Sequence, residues 1–495
     1  MVLGTSSHAG KSTVAAALCR SLARKGYRVA PFKAQNMSNN SWVTPEGAEI
    51  GRAQAAQARA AGIEPHADMN PVLLKPSGEG RMQVMALGKP LGLMGGKEYY
   101  ARGAEMRAIA HAAYDRLAAR FDVVVLEGAG SPAEINLRAE DFTNMAMAEY
   151  AEARCLLIAD IERGGVFASI LGTLGLMPKP ARAGLAGVLI NKFRGDASLL
   201  DPGIAEIAER TGVPVLGVLP WLDDPGLEEE DSLGISSSMA PTLPALYDFA
   251  VIRVPHISNS TDFEPLARMD RAVVRYVAGP EELGNPDMIL LPGTKNPRLD
   301  LEWLRDTGLD WSLKAAHARK IPILGICGGY QMLGKSIEDP EGIEGAPGTT
   351  QGLGMLPVST RMGPEKETAR VGTANANLPF LDHGTPISGY AIHMGRTVLE
   401  EGARGLLDTL SRNGSAERAS DGCADPVWPT WGCYLHGLFD SAEVRRGLEL
   451  WLRVRRGLPL QAPSQRAPEA GADPLDKLAD WLESHCDPVS LVGAP

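Results

Sequence analysis

The string Gly325-Ile326-Cys327-Gly328-Gly329-Tyr330-Gln331 follows an apolar stretch and precedes a short helical run. Cys327 therefore stands at a strand-to-helix turn whose small neighbours permit a strained, exposed nucleophile. A thiol there meets backbone N–H groups and the positive end of a helix dipole, which favour the thiolate, the attacking species. The thiolate needs a base, and His436 in WGCYLHG (431–437) ends another strand-like run about a hundred residues on. A lone Cys or His is more often a core residue, and it is the Gly-x-Cys-Gly-Gly frame with a strand-terminal His downstream that makes this pair specific. Gly293 ends a third strand in LLPGT (290–294), so its N–H and that of Gly328 are placed to hold an oxyanion. Tyr330 and Gln331 share the turn with Cys327, and His393 in YAIHMGRT (390–397) is expected near the same cleft. This constellation suits acyl transfer through a thioester.

A second string, Gly4-Thr5-Ser6-Ser7-His8-Ala9-Gly10-Lys11-Ser12, opens a helical stretch over 13–24. Phosphate binding needs glycines where N–H groups turn toward phosphate oxygens, a lysine for the β/γ oxygens and a hydroxyl for Mg²⁺, all at a helix N-terminus. Gly4, Thr5, Gly10, Lys11 and Ser12 meet that need for ATP. Five residues separate Gly4 from Gly10, one more than the standard loop, a spacing similar to that of dethiobiotin-synthetase-like and MinD-like NTPases. Only three residues precede Gly4, so a stubby first strand is expected, and an upstream start is an open alternative. Glu127, closing VVVLEGAG, and Asp160, ending LLIAD, are candidate Mg²⁺ ligands with Ser12, although each acid alone is as readily a helix cap. Asn191, after GVLIN, resembles the purine-reading Asn of related NTPases; a plain loop Asn is the alternative. Lys33, Gln35 and Asn36, in KAQNMSNNS (33–41), are candidate substrate residues, since carboxylates and carboxamides need paired donors and acceptors.

These residues must be carried by strand ends. Short Val/Leu/Ile runs at 28–32, 123–126, 156–159, 187–190 and 215–218 alternate with Ala-rich helical stretches, the pattern of a doubly wound parallel sheet. Apolar runs resume at 249–254, 288–291 and 321–326, so the second half is also α/β. The expected division is 1–222 for the nucleotide-binding domain, 223–246 for an acid-, Ser- and Pro-containing linker, and 247–455 for the thiol domain. A tail over 456–495 carries one short helix at 475–482.

At 495 residues the chain exceeds what one core supports, about 250–300 residues, so two domains are expected. No run reaches the roughly 18–20 apolar residues of a membrane helix. The glycine loop leaves no room for a signal peptide, and six scattered cysteines show no CxxC spacing, so a reducing cytoplasm is the expected compartment. A net charge of −11 argues against nucleic-acid binding.

Taken together, KAQNMSNNS (33–41), ADIERGGVFAS (159–169), NKFRGD (191–196), PHISNSTDF (255–263), LPGTKN (291–296), GICGGYQMLG (325–334) and HMGRT (393–397) resemble the cobyric acid synthases across nearly the whole chain. The resemblance implies a two-domain α/β protein, with a dethiobiotin-synthetase-like P-loop NTPase domain and a flavodoxin-like class I glutamine amidotransferase domain. It implies four amidations, at the b, d, e and g carboxylates of the corrinoid adenosylcobyrinic acid a,c-diamide, through acyl phosphates, with ATP, Mg²⁺ and glutamine consumed. Cys327 and His436 would then release ammonia, while Gly293, Gly328, Tyr330, Gln331 and His393 would surround the glutamine. Ordinary class I members carry a Glu two residues after the histidine, where this chain has Leu438. Asp440, another acid or none is left to orient His436. Cobyrinic acid a,c-diamide synthase is the nearest rival, disfavoured by KAQNMSNNS and HMGRT. A MinD-like switch with a dead second half is disfavoured by the intact Cys327 and His436. Oligomeric state and corrinoid-contacting residues are not legible.

Overall fold

The computed structural model describes residues 1–492 apart from 78–79, 137–140, 179–181, 183, 223–226, 228–244 and 460–472. Most of the expected linker and the start of the tail thus lie outside the described residues.

In the N-terminal half, six parallel strands run in the order Val29–Phe32, Val123–Leu126, Val2–Gly4, Cys155–Asp160, Leu185–Phe193 and Val215–Pro220, with Val2 joined to the second strand through Glu127. All five expected strands are present. Their interior residues are apolar on both faces because helices cover both. Helix Lys11–Arg24 buries Val14, Leu18 and Leu22 against this sheet. The tail helix, Pro474–Glu483, lies on that same helix with Leu478 and Leu482 in the shared core. Arg20–Asp476 (2.8 Å) and Arg24–Asp480 (2.6 Å) flank the contact. The tail thus returns to the nucleotide-binding domain.

The sequence did not announce a four-stranded sheet of Gln35–Met37, Val72–Pro76, Arg81–Ala86 and Lys89–Gly95 that stands beside this core.

The C-terminal half contains parallel strands in the order Ala272–Val277, Tyr247–Ile252, Met288–Leu291, Ile323–Ile326 and Thr430–Cys433, edged by antiparallel Cys423–Ala424. A second sheet is built on a long hairpin, Val358–Asn375 with Pro386–Leu399, in the register Lys366↔Met394 and Thr368↔Ile392. Strand Leu435–His436 joins its edge, pairing His436 with Tyr390. This sheet carries YAIHMGRT to the thiol.

The halves meet over a buried seam. Arg52 is 1% exposed, donates to Tyr390 Oη (2.9 Å), approaches Asp440 (3.5 Å) and lies over the Trp42 ring at 5.2 Å.

Candidate active site

Cys327 has φ 55 and ψ −111, a conformation L-residues rarely hold, between strand Ile323–Ile326 and helix Gly328–Leu333. Only close packing sustains such strain, and the packing is visible at Gly328, where a Cβ would come 2.4 Å from Thr294 Cγ2. Cys327 Sγ lies 3.3 Å from the carbonyl of Ile392. His436 is fully buried and stacks on Tyr390 with centroids 5.2 Å apart. Its Nδ1 is 2.7 Å from Asp262 Oδ2, whose other oxygen accepts from the Gly437 N–H at 3.0 Å.

Asp262 therefore occupies the third place that the sequence left open. Leu438 is wholly buried, and Asp440 turns to Arg52 instead. Burial alone would depress the His436 imidazole, but the Asp262 carboxylate and the Cys327 sulfur outweigh it and push its pKa up to about 10. Asn259, in the left-handed region at φ 51, places its Nδ2 3.4 Å from His436 Nε2. Both residues belong to PHISNSTDF, a string whose family likeness was visible while its geometric part was not.

The other candidates fall close by. Gly293 sits beside the imidazole, since a Cβ there would come 3.2 Å from His436 Cε1, and pairs in register with Ser258. Gln331 donates to the Met394 carbonyl (2.9 Å) and Tyr434 Oη (3.1 Å). Tyr330 is buried edge-on against Tyr434, so it packs beneath the turn. His393 stacks on Tyr434 at 3.6 Å, and its Nε2 lies 3.5 Å from Glu367, whose carboxyl His393 and Arg412 hold down to about 2.

At the nucleotide end, Gly10 caps helix Lys11–Arg24 at φ 99, where a Cβ would meet Asn191 Nδ2 at 2.1 Å. Asn191 donates that amide to the Ala9 carbonyl (2.9 Å) and is buried. It braces the loop from below. Thr5 N–H ties the loop to Ile158 (2.9 Å), next to Gly4. Lys11 Nζ donates to the carbonyls of Ser6 and Gly130, each at 3.0 Å.

Glu127 is buried, and its Oε1 accepts from Ser12 Oγ (2.8 Å) and Lys33 Nζ (3.0 Å), while Gln57 donates to Oε2 at 2.6 Å. Asp160 instead receives Lys192 Nζ (2.8 Å), which also reaches the His8 carbonyl (2.7 Å). It thus reaches the loop through a lysine. Ser12 and Glu127 are adjacent hard-oxygen donors beside the loop, a set that fits Mg²⁺, which takes one or two protein oxygens and keeps water and phosphate for the rest.

Ser7, Gly10, Lys11, Ser12, Lys33, Gln35 and Asn36 line a cavity of about 880 Å³. Asn36 donates to Gln54 (2.9 Å) and Gln35 accepts from Tyr99. On the same wall, Asn39 Oδ1, Gln57 Oε1 and Asn144 Oδ1 are buried acceptors with no hydrogen-bond partner among the described residues. Buried polar atoms carry a cost when unpaired, so these suit a ligand that brings donors.

Residues 1–232 match the CobQ/CobB/MinD/ParA nucleotide binding domain family, and residues 248–444 match the CobB/CobQ-like glutamine amidotransferase domain family. A cobyric acid synthase from Sorangium cellulosum is 46% identical over 506 residues, covering 99% of this chain and 97% of the relative. Those of Yersinia enterocolitica and Desulforudis audaxviator are 47% and 49% identical, covering 98% and 97% of this chain and 96% of each relative.

Proposed function

The chain belongs to the cobyric acid synthase family, and from that premise we propose that it amidates the b, d, e and g carboxylates of adenosylcobyrinic acid a,c-diamide by way of acyl phosphates. Membership makes it a glutamine-hydrolysing ligase of cobalamin synthesis, with a nucleotide-binding and a glutamine amidotransferase domain. The finer scheme assigns each centre one half of the work.

At the thiol, Cys327 Sγ attacks the glutamine amide carbon, and the oxyanion is met by N–H groups at Gly328 and Gly293. His436 gives its proton to the departing nitrogen, which leaves as NH₃, and then takes a proton from the water that cleaves the thioester. Asp262 fixes the tautomer by accepting from Nδ1, so that Nε2 serves the thiol. Gln331 and His393 hold the pocket wall, and Tyr330 supports it from below.

At the phosphate loop, Gly4, Thr5, Gly10, Lys11 and Ser12 cradle ATP, with Asn191 bracing the loop. Ser12 and Glu127 would hold Mg²⁺, directly or through water, and Asp160 acts on the loop through Lys192. When bound, the ion supplies charge neutralisation for the moving phosphoryl group. Lys11 stabilises the same charge, and Lys33, Gln35 and Asn36 position the acceptor carboxylate. Ammonia then displaces phosphate.

The observation that supports this reading best is that the Cys327–His436–Asp262 set and the phosphate loop are joined through one segment. Asn39, Asn40 and Ser41, from the cavity's KAQNMSNNS string, hydrogen-bond to Asn259 and Ser260 beside His436, with Ser41 N–H to Asn259 Oδ1 at 2.9 Å. Mass spectrometry of the corrinoid after incubation with ATP, Mg²⁺ and glutamine tests it. Four successive losses of about one mass unit, OH replaced by NH₂, are expected, with Cys327→Ser abolishing them unless ammonia is supplied. Undiminished glutamine-dependent product in that variant would remove the assigned nucleophile.

A further inference from the structure

Between the two centres, and used by neither, is a buried group of charges. Glu49 is fully buried and receives Lys75 and Lys366, themselves 1% and 5% exposed. Lys75 also donates to Ser41 Oγ (2.5 Å), and Lys366 to Gln83 Oε1 (3.0 Å). Lys295, from LPGTKN, is the third amine of the group. Glu49 and Lys75 come from the nucleotide-binding half, and Lys366 and Lys295 from the thiol half. One carboxylate thus faces three amines, two of them across the seam.

The position is informative on both sides. Strand Gln35–Met37 pairs with Val72–Pro76, and Gln35, Asn36, Ser38, Asn39 and Pro76 line the 880 Å³ cavity. Successive residues of a strand face opposite ways, so Lys75 projects away from the cavity side of Pro76, toward the hairpin that carries Lys366. On that hairpin Lys366 pairs with Met394, two register positions from Ile392, whose carbonyl touches Cys327 Sγ. The cluster therefore stands between the place where ammonia is made and the cavity wall.

We propose that Glu49, Lys75, Lys295 and Lys366 form an electrostatic collar on the ammonia route, passing NH₃ and excluding NH₄⁺. This rests on the two-centre reading above. Cations a few ångströms from a basic nitrogen disfavour its protonation, and a protonated nitrogen cannot attack an acyl phosphate. Two lysines against the one carboxylate of Glu49 leave positive charge in surplus at the seam, which keeps the nitrogen neutral in transit, and no bond is made or broken there. The same crowding acts on an amine already in the cluster. Burial, then Lys75 and Lys366, push Lys295 well below the ordinary ammonium range, and burial lowers Lys366. Burial opposes ionisation of Glu49, yet Lys366, Lys75 and Lys295 hold it well below the usual carboxylate range. The other groups at the cluster are Gln83, Met85 and, beyond the hairpin, Cys327.

The test measures glutamate released per amide formed, in the full chain with glutamine, ATP and corrinoid. The unsubstituted protein and Lys366→Arg are expected near one. Lys366→Met is expected to rise roughly threefold or more at about pH 7 and to return toward one by about pH 9, as ammonium loses its proton. Amidation from added ammonia at the higher pH should be retained. Lys75→Met carries the same expectation and serves if Lys366→Met does not fold. A ratio that stays near one overturns the collar. So does a rise that ignores pH or appears equally in Lys366→Arg, since either marks a seam merely opened. Failure of the underlying reading is distinguishable, because the unsubstituted protein would then form no amide from either nitrogen donor, and the collar would fall with it.

Discussion

At the scale of single side chains, the proposed thiol chemistry turns on the 2.7 Å pairing of His436 with Asp262. Asp262→Asn preserves the shape but can donate to Nδ1, favouring the wrong tautomer. Glutamine-dependent turnover is expected to fall about 10²–10⁴-fold while ammonia-dependent amidation is unchanged, which steady-state assays with the two donors separate. The same pair links stability to pH. A folded value of about 10 exceeds the unfolded value near 6.5, so the pairing stabilises the fold fully below about pH 6.5 and is lost as pH rises through about 10. The melting temperature should therefore decline between about pH 7 and pH 10, and less steeply in Asp262→Asn. An equal slope in both proteins would place that dependence elsewhere.

At the scale of elements, glycines and helix contacts set the two turns. Gly10→Ala forces a Cβ onto Asn191 at a φ of 99, so the loop must shift. Nucleotide affinity is expected to drop at least tenfold by calorimetry, with about 1–3 kcal/mol of stability lost to strain. The tail helix acts through burial. Leu482→Ala empties a site in the core shared with helix Lys11–Arg24 and is expected to cost about 2–5 kcal/mol in urea unfolding. By contrast Arg20→Ala removes a partly exposed ion pair, expected at under about 1 kcal/mol.

At the scale of the whole molecule, the seam makes the two α/β halves one working unit. Arg52 is its largest fully buried side chain, held by Tyr390, Asp440 and Trp42. Arg52→Ala is expected to cost about 3–5 kcal/mol, by loss of a buried charged network. Calorimetry is expected to show one unfolding transition in the parent and two in this variant; one unsplit transition at the parent temperature would show the seam indifferent to Arg52.

Local strings determined much of this. Gly-x-Cys-Gly-Gly and the Gly4–Ser12 loop are self-sufficient signals, because a strained elbow and a phosphate cradle each need particular small residues within a few positions of the reactive group. Apolar runs likewise announced the parallel strands, since strands buried on both faces admit little else. The mixed sheet over 35–95 and the long hairpin were not legible, as their strands mix exposed and buried positions without clean alternation. Nor was Asp262, which lies 174 residues from His436 along the chain and meets it only when strand Leu435–His436 docks beside the 257–263 segment. The same holds for Glu49 and Lys366, whereas Asn191 was legible as a candidate and only its partner, the Ala9 carbonyl, was not. A sequence states which side chains are available, whereas a carboxylate's partner is settled by which strand ends the fold brings together, because charge acts over ångströms of space and takes no account of chain distance.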